Sequence, residues 1–526
     1  MTLNILNKIN EPKDLKSLSR EELNLLSSEI RDVLIKRVST TGGHFGPNLG
    51  MVEATIALHY VFNSPVDKFV YDVSHQSYVH KMLTGRKEAY INPEKFKTVT
   101  GYTEPKESEH DFFTIGHTST SISLACGLAK GRDAVGSNEN IIAIIGDGSL
   151  SGGEAYEGLN NAAASNKNII ILVNDNDISI AENHGGLYKN LAQLRESEGK
   201  LDNNFFKSLG FEYHFVKDGN NLESLIETFE KVKDTTRPVV VHMHTIKGKG
   251  YEDAENNKES FHWVMPFDLE TKEPLFKGEY VKSYGDITED FLIEKAKKDK
   301  SIVAITAATP GIVGVNRFRS ELQDQYVDVG IAEEHAIALA SGMAKRGAKP
   351  VAAFLSSFIQ RTYDQLSQDL AINNNPATIM VYWGGISGSD VTHLGLFDIP
   401  LISNIPNMVY LAPTTKEEHL AMVDWAIEQD KHPVAIRVPN MEVVSTGVGV
   451  EANFDELNKY VMVEEGKDVA IIGLGSFFHL GKKVQERLRN TGINATLINP
   501  RFITGVDEDL LNELKENHKV VIPLKD

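Results

Sequence analysis

Short apolar runs alternating with helical stretches are the feature that most limits what this chain can fold into. The runs at 69–73, 141–145, 169–173 and 239–242 are rich in Val and Ile and only four or five residues long. Near-continuous apolar runs of that length are the mark of strands buried on both faces, as in a parallel sheet with helices on either side. The intervening stretches have the other period. Ser19-Arg20-Glu21-Glu22 has capping-box spacing, and Leu23, Leu26, Ile30, Val33, Leu34 and Val38 follow at helical intervals, so a helix is predicted up to Thr40. It stops at Thr41-Gly42-Gly43-His44. An irregular stretch at 261–283, with Pro266 and Pro274, separates this region from a second one with strands expected at 302–305, 351–354, 377–381 and 408–411. After Pro439, Gly447 and Gly449 comes a third region, with strands at 468–473, 495–498 and 520–522 and a helix near 480–490. At 526 residues the chain exceeds what one core supports. The predicted fold class is therefore α/β, with parallel-sheet domains at 1–280 and 281–440 and a C-terminal α/β domain at 455–526. The last domain ends straight after a strand with no helix left to cover it, so it is expected to be incomplete.

Charge and cysteine content narrow the function classes. Lys and Arg number 54 against 73 Asp and Glu, a formal net charge of −19. A broad nucleic-acid or anionic-membrane footprint needs a basic face, so neither partner is expected, and an anionic ligand must be caught locally. The single cysteine, Cys126, excludes an intrachain disulfide and a multi-cysteine metal site, fits a reducing compartment, and is expected to be a small buried residue. The N-terminus mixes polar residues among its apolar ones and lacks a signal peptide's core, and no apolar run approaches the roughly 20 residues of a membrane span. The cytoplasm is the expected compartment.

The chemistry concentrates at two predicted strand ends. Gly146-Asp147-Gly148-Ser149-Leu150-Ser151-Gly152-Gly153 follows one strand, and Asn174-Asp175-Asn176-Asp177-Ile178 closes the next. Carboxyl ends of neighbouring parallel strands open into one crevice, where Asp147 and the amide oxygen of Asn176 can converge. Oxygen ligands of this kind suit Mg²⁺, which fills its octahedron with phosphate oxygens and water. The glycines let backbone N–H groups approach a diphosphate at the start of a helix from about Gly153. Each segment alone is an ordinary turn; paired at strand ends they form a cation–diphosphate site.

On these residues the chain resembles the thiamine-diphosphate enzymes, whose motif is a GDG followed by an Asn-rich element. Further segments narrow the likeness: Gly42-Gly43-His44, Asp72-Val73-Ser74-His75-Gln76-Ser77-Tyr78, Gly116-His117-Thr118-Ser119-Thr120-Ser121, and Lys247-Gly248-Lys249-Gly250-Tyr251 with Phe261-His262. Ile331-Ala332-Glu333-Glu334-His335, Ser357-Phe358-Ile359-Gln360-Arg361 and Thr392-His393 continue it. In order and across nearly the whole chain they resemble the 1-deoxy-D-xylulose-5-phosphate synthase family. That resemblance implies a transketolase-like architecture, with two thiamine-diphosphate-binding domains, an active site between them, and a homodimer. It implies a transferase that condenses pyruvate with D-glyceraldehyde 3-phosphate, with loss of CO₂, for isoprenoid and thiamine precursor synthesis. By the same resemblance Asp147, Asn176 and the Ile178 carbonyl hold Mg²⁺. His75, Gly116, His117, Thr118, Gly148, Ser149, Asn176, Tyr251, Glu333 and Phe358 contact thiamine diphosphate. Glu333, against the aminopyrimidine, and His44, His75, His262 and His393 are the catalytic set. Arg361, Arg437 and Asp390 bind the acceptor, the arginines through their planar donor forks.

The chain also departs from the family pattern. Tyr382-Trp383-Gly384-Gly385 stands where the pattern has Asp-Arg-Ala-Gly, so Trp383 replaces an acceptor arginine, and the loop before His393 is one residue shorter. Leu355 replaces a tyrosine, Ser74 a glycine and Asn220 a histidine, and the segment between Asn183 and Phe205 is short. Several of these touch the acceptor end and none the cation. A related carboligase or transketolase with a different acceptor, and a non-catalytic paralogue, stay open beside the main reading.

Overall fold

The Ile- and Val-rich runs of the first half of the chain become one parallel five-stranded sheet. In the computed structural model, which describes residues 3–525 apart from 166, 277, 279, 280, 387–389, 451 and 452, a short ladder precedes it. The ladder pairs β1 (Gly43–His44) antiparallel with β7 (Trp263–Val264). The sheet runs β2 (Lys68–Tyr71), β3 (Ile141–Gly146), β4 (Ile170–Asp175), β6 (Val239–His244) and β5 (Glu212–Val216) in spatial order. Alternation along these strands feeds two cores. Ile142, Ile144, Ile170 and Leu172 pack on one face, while Ala143, Ile145, Ile171 and Val173 pack on the other. Burying each such large aliphatic side chain contributes about 1.5–3 kcal/mol, which is why the apolar runs of the inner strands β3 and β4 carry no polar face. The first long helix, Arg20–Thr41, starts on the predicted capping box: Ser19 accepts from the Glu22 amide, and the Glu22 side chain reaches back to the Ser19 N–H.

The chain forms two compact units, 1–279 and 280–526. The expected boundary at residue 280 lies outside the described residues. In the second unit β12 (Val409–Leu411), β13 (Val434–Arg437), β11 (Thr378–Tyr382), β10 (Lys349–Leu355), β8 (Ile302–Thr306) and β9 (Tyr326–Asp328) form a six-stranded parallel sheet in that order. Its strands again divide between two cores, with Ala304, Val351 and Met380 on one side and Ile305, Ala352, Phe354 and Ile379 on the other. A four-stranded sheet follows in the order β14 (Val461–Glu464), β16 (Thr496–Asn499), β15 (Asp468–Gly473) and β17 (His518–Leu524), with β14 antiparallel to β16. The small sheet is fastened to the large one through the segment after β16. The Ala412 amide donates to the Arg501 carbonyl at 2.8 Å, the Ile503 amide to the Tyr410 carbonyl at 2.7 Å, and Arg501 pairs with Glu418 at 2.7 Å. No described helix is long and apolar enough to cross a membrane. Cys126, expected to be buried, is half-buried at the margin of one core, on a helix whose inward face is made by Ile122, Ala125 and Ala129.

Candidate functional site

In the first unit three loops at the carboxyl ends of β2, β3 and β4 are tied together. Asp72, buried just past β2, accepts from the Ser119 and Ser121 amides at 2.8 and 3.0 Å, which fixes the Gly116-His117-Thr118 loop at the start of the helix Ser121–Val135. The Ser119 hydroxyl donates to the Ser149 carbonyl at 2.8 Å and so joins that loop to the GDG segment. Ser74 has a left-handed backbone, φ +68°, the region that favours glycine. Its hydroxyl offsets that strain by donating to the Ile115 carbonyl at 2.7 Å and accepting from the Thr103 amide at 2.9 Å. Gly116 is buried, and His117 and Thr118 are half-buried.

Asp147 and Asn176 come from adjacent strands. Gly146 pairs in register with Asn174, and the Asp147 amide donates to the Asn174 carbonyl at 3.0 Å. Burial raises the pKa of Asp147, and the nearby Asp175 carboxylate adds to the shift. The Asn183 amide, at 2.8 Å from Asp147 Oδ2, works against it. Burial also opposes the charge on Asp175, but bonds from His242 and Arg195 prevail and hold its pKa down. The Asn176 amide oxygen is buried with no hydrogen-bond partner. A carboxylate that burial penalises and an amide oxygen left unsatisfied, at the ends of adjacent strands, are oxygen ligands of the kind a divalent cation takes. Among the described residues no cluster of three or more acidic, histidine or cysteine side chains could hold a metal alone. Such a site suits Mg²⁺, which takes few protein ligands and draws the rest from phosphate and water. Ile178 is half-buried beyond Asp177, whose φ of +66° turns the chain at this point.

Gly148 has a role that its sequence context did not reveal. A Cβ there would lie 2.4 Å from the Ser179 Cβ, so glycine is required for the GDG loop to pass the Asn-rich turn. Gly146 and Gly153 face open space instead.

His44, His75 and His262 converge. Their ring centroids are 4.8, 5.6 and 5.3 Å apart pairwise, and Tyr102 stands edge-on to His44 at 5.9 Å. The β1–β7 ladder brings His44 beside the His262 segment. Buried Asn48 clasps the other side by donating to the carbonyls of His44 and His75 at 2.9 and 2.8 Å. Lys247, 2% exposed, links this cluster to the cation loop: its ammonium donates to the Ser179 carbonyl at 2.6 Å and lies 3.1 Å from His262 Nδ1. Burial pushes the Lys247 pKa down to about 7 and, together with Lys247, holds His262 well below the usual histidine range. Tyr251 packs edge-on to Phe45 at 5.2 Å, with its buried hydroxyl lacking a hydrogen-bond partner. Lys247, Asn48, Asn183 and Tyr102 did not stand out as site residues in the sequence; the KGKGY segment was the one available signal, and only for Lys247.

In the second unit Glu333 opens the helix Glu333–Lys345 and is 3% exposed. Its Oε2 has no hydrogen bond, and the Arg361 guanidinium lies 3.7 Å away. Burial pushes its pKa up to about 7 against the pull of Arg361. Phe358, just past β10, stands edge-on to His393 at 5.6 Å. Burial lowers the His393 pKa, and Asp390 opposes the shift. Arg437 is not on the surface: at 9% exposure its Nε donates to Asp398 Oδ2 at 2.7 Å, and Gly384 leaves room for it, since a Cβ there would lie 2.6 Å from Nε. Trp383 is half-exposed with φ +57°. Leu355 is buried in the core, and Asn220 bonds the Gly50 carbonyl and the Glu53 carboxylate, so both departures have structural duties.

Comparison with known proteins identifies the family of the chain. The chain matches the family model for 1-deoxy-D-xylulose-5-phosphate synthase over residues 6–202 and 198–245. It matches those for the transketolase pyrimidine-binding domain over 282–444 and the transketolase C-terminal domain over 458–526. The 1-deoxy-D-xylulose-5-phosphate synthase of Caldanaerobacter subterraneus is 41% identical, with 99% of this chain and 89% of that protein covered. That of Halothermothrix orenii is 40% identical with 98% and 87% covered, and that of Natranaerobius thermophilus 39% with 98% and 88%. With domain models and near full-length relatives in agreement, the chain belongs to the 1-deoxy-D-xylulose-5-phosphate synthase family.

Proposed function

We propose that this chain condenses pyruvate with D-glyceraldehyde 3-phosphate, releasing CO₂ and giving 1-deoxy-D-xylulose 5-phosphate, with thiamine diphosphate and Mg²⁺ bound. The observation that carries the reading is Glu333: a buried carboxyl at a helix start, one oxygen unsatisfied, with a pKa near 7. That is the acid required against an aminopyrimidine nitrogen, able to hold or give up its proton near neutral pH. Bound thiamine diphosphate supplies a nucleophilic carbon and an electron sink for the decarboxylation.

The chain's own residues bind, orient and move protons. Asp147, Asn176 and the Ile178 carbonyl hold the Mg²⁺, and Gly116, His117, Thr118, Gly148 and Ser149 contact the cofactor. Phe358 and Tyr251 offer apolar faces to its rings. His44, His75 and His262, crowded within 6 Å of one another, share and relay protons, with burial favouring the neutral imidazole at His262. His393 serves the same purpose in the second unit. Arg361 and Arg437 take the acceptor phosphate and Asp390 its hydroxyls. By resemblance the working form is a cytoplasmic homodimer that supplies isoprenoid and thiamine precursors.

One observation favours a second reading in which the acceptor carries no phosphate. Trp383 replaces an arginine of the family pattern, and Arg437 is already engaged by Asp398. Both readings are tested by CO₂ release from pyruvate with thiamine diphosphate and Mg²⁺, run without acceptor, with glyceraldehyde 3-phosphate and with glyceraldehyde. Release that depends on the phosphorylated aldehyde is the expected result. Dependence on glyceraldehyde alone establishes the second reading, and no release in any arm overturns both.

A further inference from the structure

Thr392 lies between Asp390 and His393 both in sequence and in hydrogen bonding. Its hydroxyl donates to Asp390 Oδ1 at 2.9 Å and is 2.8 Å from His393 Nδ1. The backbone closes the same turn: the Thr392 amide donates to Asp390 Oδ1 at 3.0 Å and the His393 amide to the Asp390 carbonyl at 3.0 Å. A hydroxyl carries one proton and a carboxylate only accepts. The proton of Thr392 is therefore committed to Asp390, and what the hydroxyl offers the imidazole is a lone pair. His393 Nδ1 must then carry the ring hydrogen, which leaves the accepting lone pair of the neutral ring on Nε2. The neighbouring Phe358 ring, 5.6 Å away and inclined at 73°, fixes the plane of the same imidazole.

We propose that Asp390 and Thr392 form a relay that locks His393 in the Nδ1–H tautomer, so that Nε2 is the atom that accepts a proton during turnover. Thr392 is thus a positioning residue, and Asp390 acts on His393 through it. The proposal rests on the reading of His393 as an active-site base. It also accounts for the shortened loop: with two residues between Asp390 and His393, one hydroxyl spans the carboxylate and the ring.

The test is ¹⁵N NMR on the full-length protein with labelled histidine, the His393 signals being identified by their loss in His393→Gln. Wild type and Thr392→Ser are expected to show a protonated Nδ1 and a bare Nε2, whereas Thr392→Val, without the hydroxyl, shifts the proton to Nε2. In parallel, kcat for CO₂ release is expected to fall about 10-fold to 100-fold in Thr392→Val, part of what a positioned base contributes, and to return in Thr392→Ser. A wild-type ring protonated on Nε2, or an Nδ1–H retained in Thr392→Val, overturns the relay. If the protein releases no CO₂ from pyruvate, the activity reading fails, yet the tautomer measurement still decides the relay.

Discussion

Glu333 and Arg361 stand 3.7 Å apart, nitrogen to oxygen, close enough for the guanidinium to lower the carboxyl's pKa but not enough to cancel its burial. The pKa rises from 4.5 to about 7. Between those values the folded protein binds a proton that the unfolded chain has lost, so this group makes stability fall as pH rises from about 4.5 to about 7. Above that window the full penalty is on the order of 3 kcal/mol. Glu333→Gln is expected to remove it. Thermal unfolding across that range will show the variant gaining on wild type as pH rises, while CO₂ release falls by about 10²–10⁴-fold. Parallel stability curves would contradict the assignment of a perturbed carboxyl.

Asp147 and Asn176 predict opposite effects with and without cofactor. Asp147→Asn removes a buried charge that burial and Asp175 disfavour, so the protein alone is expected to gain stability. The gain from adding thiamine diphosphate and Mg²⁺, about 2.7 kcal/mol at a hundredfold excess over Kd, is expected to vanish in this variant and in Asn176→Ala. Addition of EDTA to wild type should abolish the same shift. A full cofactor-induced shift in either variant would remove that residue from the cation site.

The strands buried on both faces were legible in the sequence because their apolar runs are nearly continuous, as at Ile141–Gly146 and Ile170–Asp175. The strands it left out were the two-residue pair Gly43–His44 and Trp263–Val264, the half-buried edges Glu212–Val216 and Tyr326–Asp328, the partly exposed Val461–Glu464, and Val434–Arg437, a short run closed in by Pro433 and Pro439. In those segments length and mixed polarity resemble loop. Motif spacing at the strand ends pointed to Asp147 and Asn176, whereas Glu333 stood out only through the family resemblance. Spacing could not reveal the bonds of Asn48 to His75, Lys247 to Ser179 or Asn183 to Asp147, because these join segments far apart in the chain. Nor could it show that Gly148 answers to Ser179, a steric demand made by another loop.

The segment leading to His117 is anchored by buried charge. Asp111 takes both Arg86 terminal nitrogens at 2.7 and 2.9 Å and the His80 ring at 2.9 Å, and His80 in turn meets His59 at 2.9 Å. Burial opposes the Asp111 charge, but Arg86 and His80 outweigh it and hold the pKa below the ordinary range. This contribution to stability is present above the unfolded carboxyl's pKa and is lost as pH falls toward the folded one. Asp111→Ala removes the bidentate partner of Arg86 and leaves it the Glu107 carboxylate at 3.2 Å and the Thr84 hydroxyl at 2.7 Å, and is expected to cost about 1–3 kcal/mol in urea or thermal unfolding. A loss below about 1 kcal/mol would mean that solvent reaches the pair.

Trp383 sits where a charge is expected for a phosphate, and its setting leaves room to restore one. The side chain is 48% exposed and lines a cavity of about 110 Å³ with Tyr284, Tyr382 and Met441. The backbone there is held independently of it: the Ser356 amide donates to the Tyr382 carbonyl at 2.7 Å, and the Gly385 amide to the Gly395 carbonyl at 2.7 Å. Trp383→Arg therefore changes the group offered to the acceptor without removing a buried contact on which the loop depends. One charge-assisted hydrogen bond is worth about 1.5–3 kcal/mol, or roughly tenfold to a hundredfold in affinity. The variant is expected to lower KM for glyceraldehyde 3-phosphate by about that factor, to leave KM for pyruvate unchanged, and to leave unphosphorylated glyceraldehyde no better used than before. An equal improvement with both aldehydes would mean that the arginine acts on something other than phosphate. No change with either would place the acceptor's phosphate away from residue 383 and leave Arg361 and Arg437 as its holders.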